Sequence, residues 1–90
     1  MNKQEIINNI TDGAQNLNIL SIEYFEKDGT NEGFRSVEPY SIRDLGTEKE
    51  AFFGYDIEKN GIRRFTVSRI LKVKITNQKF IPRNSWEVEF

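Results

Sequence analysis

Arg63, Arg64 and Arg69 crowd one short stretch, and no acidic residue stands between positions 59 and 86. A guanidinium presents five N–H donors in a rigid fork, which suits phosphate and carboxylate oxygens. The groups that most often carry reaction chemistry are missing, since the chain has no histidine and no cysteine. That removes the commonest general base, the commonest metal ligand and any thiolate, and leaves no Ser-His or Cys-His nucleophile. Carboxylates are plentiful, but Glu48, Glu50, Glu87 and Glu89 read as solvated loop or strand-edge charges. The six glycines mark turns rather than a phosphate-cradling loop. These residue types point to a binding protein rather than an enzyme, with no metal and no cofactor.

Charge is segregated along the chain. Residues 1–58 hold five basic and twelve acidic side chains, a net −7. Residues 59–86 hold eight basic ones and no acidic one, a net +8, and Glu87 and Glu89 bring the total to −1. Such a block can mark a surface for anionic partners. Equally, the basic strands can pair with the acidic strands before them and cancel locally.

Ninety residues make one domain, and 37% apolar content with eleven aromatic side chains is enough for one core. A mean hydropathy of −0.63 and the absence of a long apolar run predict a soluble domain with no membrane span. Residues 1–13 lack an apolar run and cleavage site of the secretory kind, and the lack of cysteine fits a reducing cytosol, so a cytoplasmic location is expected.

The elements that must position the arginines follow from periodicity. Ile6, Ile10, Ala14 and Leu17 recur at spacings of three and four, predicting an amphipathic helix over 3–17 that ends early or breaks at Gly13. From Ile19 the period changes to two. Strands are expected from residue 19 to 25, from 33 or 34 to 43, and over 51–57, 62–67 and 71–76. Asp28-Gly29 marks the first turn, Leu45-Gly46-Thr47 a loop, and Asn60-Gly61 a tight hairpin. Pro39 cannot donate a ladder hydrogen bond, so its strand lies at an edge or bends there. In the fifth strand Leu71, Val73 and Ile75 point inward and Lys72 and Lys74 outward. Phe80, Trp86 and Phe90 in the irregular tail cover an open end. The expected fold is mainly β: a helix over 1–18, a small five-stranded barrel over 19–76 and an irregular segment over 77–90.

Strand parity singles out Arg63. It shares a face with Phe65 and Val67, while Arg64 lies on the other face with Ile62 and Thr66. A guanidinium on the core side must be paired or face a pocket, because a buried unpaired charge is too unfavourable. One reading is an internal ion pair with an acidic residue such as Asp56, just across the hairpin. The other is an anion donor at a pocket mouth.

The residues from 19 to about 80 resemble the WYL domain, a family with an SH3-like or Sm-like small β-barrel. The matching pieces are IEYFEKDG, RSVEPYSI and FFGYDIEKNGIRRFTVSRILKVKITNQKF, about two-thirds of the chain in the expected order. The most specific run is Gly-Ile-Arg-x-Phe-x-x-x-Arg-Ile, from Gly61 to Ile70. The name-giving Trp-Tyr-Leu falls on Glu50-Ala51-Phe52, so two of the three signature positions are lost. The resemblance implies a ligand-sensing regulatory module of transcription regulators or phage-defence systems, with Arg63 and Arg69 at the family's basic positions. It further implies single-stranded nucleic acid or a nucleotide as ligand.

An anionic ligand would meet Arg63 and Arg69 first, with Arg64, Lys72 and Lys74 as secondary contributors. Tyr40 or Phe52 would stack on a base if exposed, and would be core residues if not. The alternative is a protein-interaction module, a homodimer or a partner of a separate DNA-binding regulator, held by charge complementarity or by strand addition at the Pro39 edge. The chain has one helical segment and therefore no helix-turn-helix of its own.

Overall fold

A computed structural model describes residues 1–44 and 50–90. The chain runs through α1 (Lys3–Gln15), β1 (Asn18–Tyr24), β2 (Phe34–Asp44), β3 (Glu50–Asp56), β4 (Gly61–Thr66) and β5 (Ile70–Lys79). The expected loop at Leu45-Gly46-Thr47, and Glu48, lie outside the described residues.

The helix starts on a capping box: the Asn2 side chain accepts from the Glu5 amide, and the Glu5 carboxylate accepts from the Asn2 amide. It ends at Gln15, two residues sooner than periodicity suggests, and Leu17 follows in the left-handed region at φ 55°. Gly13 does not break it. A Cβ there would collide with the Leu20 side chain, so the glycine lets the helix lie close on β1. Ile6 and Ile10 from α1 join Leu20, Ile22, Val37, Phe52, Phe65 and Val73 in one core.

The five strands form one antiparallel sheet in the order β4-β3-β2-β1-β5. Its edges, β4 and β5, are consecutive in sequence, joined only by a 3-10 turn at Val67–Arg69. Five flat strands would set the edges about 19 Å apart. The four steps from Thr66 to Ile70 reach at most about 14 Å. The sheet must therefore curl toward a barrel, although β4 and β5 do not pair and it stays open. Tyr24 fastens the curl: its phenol oxygen accepts the Thr66 amide at 2.9 Å, linking β1 to β4.

Several expectations need correction. Of the two places open to Pro39, an edge strand or a bend, the structure has the bend and not the edge. β2 is the middle strand, and a register shift between Pro39 and Ser41 absorbs the missing donor. The expected edge for strand addition is thus not at Pro39. On β5, Val73 is buried, but Leu71 and Ile75 stay 40% and 42% exposed because an edge strand is only partly roofed by the core. The tail does not close a barrel end. Phe80 and Trp86 pack edge-on against Tyr40 at 5.7 and 5.4 Å, and Glu89 donates its amide to the Tyr40 carbonyl. The tail thus lies along β2, where Arg83 clamps Glu38 through Nε–Oε1 at 3.0 Å and Nη2–Oε2 at 3.1 Å.

Candidate basic cleft

Between the end of β1 and the β4–β5 turn lies an open cleft of about 590 Å3. Tyr24 and Glu26 form one wall, and Arg63, Arg64 and Arg69 come from the other. The hairpin carrying Arg63 and Arg64 is set by register, with Gly54 opposite Arg63 and Asp56 opposite Gly61. The 3-10 turn then aims Arg69 back over the same opening. Its carbonyl accepts the Phe25 amide at 3.0 Å, tying this turn to the loop after β1.

Arg63 lies on the core side, as parity requires, but at the rim. Its side chain is 31% exposed, its guanidinium sits 5.8 Å from the Phe65 ring centre, and Nη2 is 3.3 Å from Glu26 Oε1. Its partner is not Asp56. That carboxylate is fully buried and is held by Arg35 at 3.4 Å and by the Lys59 amide at 3.1 Å. Arg35 is 5% exposed, donates to Glu26 Oε1 at 3.0 Å, and lies 5.9 Å from the ring centres of both Tyr24 and Phe65. An internal arginine–aspartate pair therefore exists, but it uses an arginine that sequence reading passed over. The signal was present. Arg35 shares parity with the core residue Val37, and Val37 pairs with Asp56.

Among the described residues two carboxylates line the cleft and both are engaged, Glu26 by the two arginines and Glu50 by Lys3. Among the described residues, Arg64 and Arg69 have no carboxylate partner. The basic block is thus partly neutralised, by Arg63–Glu26, Arg83–Glu38 and Lys59–Glu32, and partly left over at the cleft. Glu50, first of the three signature positions, lines the cleft, whereas Ala51 and Phe52 are buried.

The remaining candidates lie elsewhere. Phe52 is fully buried and stacks on Phe65 with ring centres 5.6 Å apart, so no base can reach it. Tyr40 is buried under the tail: its hydroxyl donates to Glu38 at 2.9 Å and accepts the Arg83 amide at 3.0 Å. Burial, more than the hydrogen bond to Glu38, pushes its phenol up to about 12. Neither ring is a stacking platform, because the outer face of β2 is covered by the tail and the inner face of β3 by the core. Lys72 and Lys74 sit on β5 away from the cleft, Lys72 opposite Glu23 and Lys74 with its ammonium 4.7 Å from the Phe34 ring centre. Among the described residues no group of three or more acidic side chains is placed to hold a metal, and no helix is long and apolar enough to cross a membrane.

No curated protein matches the chain. Among solved structures, proteasome accessory factor B/C (PafBC) of Arthrobacter aurescens superposes with a TM-score of 0.82 at 19% sequence identity. The match covers 98% of this chain and 14% of that one, so this chain spans about a seventh of the neighbour's length. At that identity the likeness speaks for the fold. A family model described as WYL domain matches residues 5–75, which takes in most of the helix and of the curled sheet and all three cleft arginines. The chain belongs to the WYL domain family.

Proposed function

We propose that this domain is a ligand-sensing regulatory module whose cleft takes phosphate groups of a single-stranded nucleic acid or a nucleotide. The observation that carries this reading is the surplus of cations at the cleft. Arg64 and Arg69 face it with no carboxylate partner among the described residues, in a chain whose net charge is −1. Unpaired guanidinium groups gathered at one opening are held against their mutual repulsion by the fold, and a polyanion relieves that repulsion. The regulatory part of the proposal rests on family membership and on the matched share of PafBC, where the corresponding domain is a small part of a larger protein.

The stacking contribution moves away from Tyr40 and Phe52, so affinity would come from phosphate contacts and be weak and salt-sensitive. Fluorescence anisotropy of labelled single-stranded oligonucleotides, at low and moderate salt, tests this. Binding that strengthens as salt falls is the expected result. No binding at low salt removes the proposal.

A further inference from the structure

We infer that Glu26 is an internal stand-in for the anion at Arg63, a specificity-determining residue that a ligand must displace. The inference rests on the proposed anion-binding role of the cleft and goes beyond it. One oxygen, Glu26 Oε1, accepts from Arg35 Nη2 at 3.0 Å and from Arg63 Nη2 at 3.3 Å. The two arginines are not equivalent. Arg35 is buried to 5% exposure and further fixed by Asp56 and by the rings of Tyr24 and Phe65. Arg63 is 31% exposed, and besides Glu26 its guanidinium meets the Phe65 ring, with 5.8 Å to the ring centre.

Arg63 can therefore turn from Glu26 to an incoming phosphate without leaving a buried charge unpaired, because Glu26 keeps Arg35 and Arg35 keeps Asp56. The reverse release, of Arg35 from Glu26, would weaken the buried pair and is unfavourable. The backbone of Glu26 is tied into the turn, its amide donating to the Thr30 carbonyl at 2.8 Å and its carbonyl accepting the Gly29 amide at 3.0 Å, and its carboxylate is held at the cleft by the buried Arg35. A carboxylate and a phosphate oxygen use the same guanidinium donors, so their competition lowers apparent affinity and admits only ligands whose phosphate outbids Glu26.

The test is anisotropy titration of a single-stranded oligonucleotide with the wild type, Glu26→Gln, Glu50→Gln, Arg63→Ala and the Glu26→Gln/Arg63→Ala double variant. Glutamine keeps an acceptor for Arg35 and removes the competing charge. Glu26→Gln should bind about three- to tenfold tighter than wild type, and the gain should vanish in the Arg63→Ala background. Glu50→Gln should gain less, since Glu50 is held by Lys3 rather than by a cleft arginine. Equal or weaker binding by Glu26→Gln overturns the inference while wild-type binding preserves the proposed function. An equal gain in Glu50→Gln also overturns it, by making the effect one of overall charge. Absence of binding by both wild type and Glu26→Gln at low salt overturns both proposals. Guanidinium NMR of the wild type titrated with inorganic phosphate gives a readout independent of the folding of Glu26→Gln. The Arg63 Nε–H resonance should shift and the Arg35 resonance should stay; the opposite pattern sinks the inference.

Discussion

Replacing Arg69 by alanine is the cleanest perturbation of the cleft. Arg69 has no carboxylate partner among the described residues, so its removal frees no acidic group, whereas Arg63→Ala would release Glu26 into the cleft. Its backbone carbonyl still accepts the Phe25 amide, so the turn keeps its tie. Each phosphate neutralised on a single strand contributes about −0.7 to the slope of log K against log salt. Three arginines give a slope of about −2, or on the order of a 15-fold loss of affinity between about 50 and about 200 mM salt. Without Arg69 the slope should relax to about −1.4, a loss of about sevenfold over the same range. At the lower salt, loss of one charge-assisted contact should weaken binding about five- to tenfold. Anisotropy titrations at four salt concentrations measure both quantities, with Lys74→Ala as the control from the far edge. Urea denaturation checks that both variants remain folded. A slope unchanged by Arg69→Ala, or an equal change in Lys74→Ala, would refute the assignment of phosphate contacts to the cleft.

Other outcomes follow from the same geometry. Arg35→Ala strands the fully buried Asp56 carboxylate and should lower stability by about 3–5 kcal/mol, read as a drop in urea midpoint; a loss under 1 kcal/mol would mean Asp56 is not held as described. Gly13→Ala, which stabilises an ordinary exposed helix by about 1 kcal/mol, should instead destabilise by about 1–3 kcal/mol because the added methyl meets Leu20. A rise in melting temperature would contradict the close approach of α1 to β1. Tyr40 titrates near 12 in the fold against about 10 unfolded, so the folded state retains a proton that the unfolded state gives up. Its contribution is fully present below pH about 10 and is lost as pH rises toward about 12, a change on the order of 2 kcal/mol. Urea midpoints at pH about 9 and about 11.5 should differ more in wild type than in Tyr40→Phe, and equal pH dependence would count against a buried Tyr40 hydroxyl.

Local periodicity made much of this legible. The switch from a spacing of three and four to a spacing of two separates α1 from the strands, and Asn60-Gly61 places the β3–β4 hairpin. Parity alone puts Arg63 on the core side of β4, and the acid-free stretch announces a surplus of cations. The absence of histidine and cysteine limits the chemistry before any fold is known. These are properties of a residue and its near neighbours, and the chain carries them wherever it folds.

Neighbours across strands were not legible in this way, because a period of two names a face and not what lies against it. Strand order put β2 in the middle, and so decided between the edge and the bend that Pro39 had left open, in favour of the bend. The register of β2 on β3 set Val37 opposite Asp56, which brought Arg35, 21 residues away in sequence, to the carboxylate that hairpin proximity had offered to Arg63. Once Asp56 was taken, Arg63 was left at the rim with Glu26. The curl forced by the short turn between the two sheet edges then set Arg69 beside it. Sequence established that arginines would gather and that one of them would turn inward. Only the tertiary structure decided which arginine is buried and which face the cleft, because that choice depends on which carboxylate each guanidinium meets across the sheet.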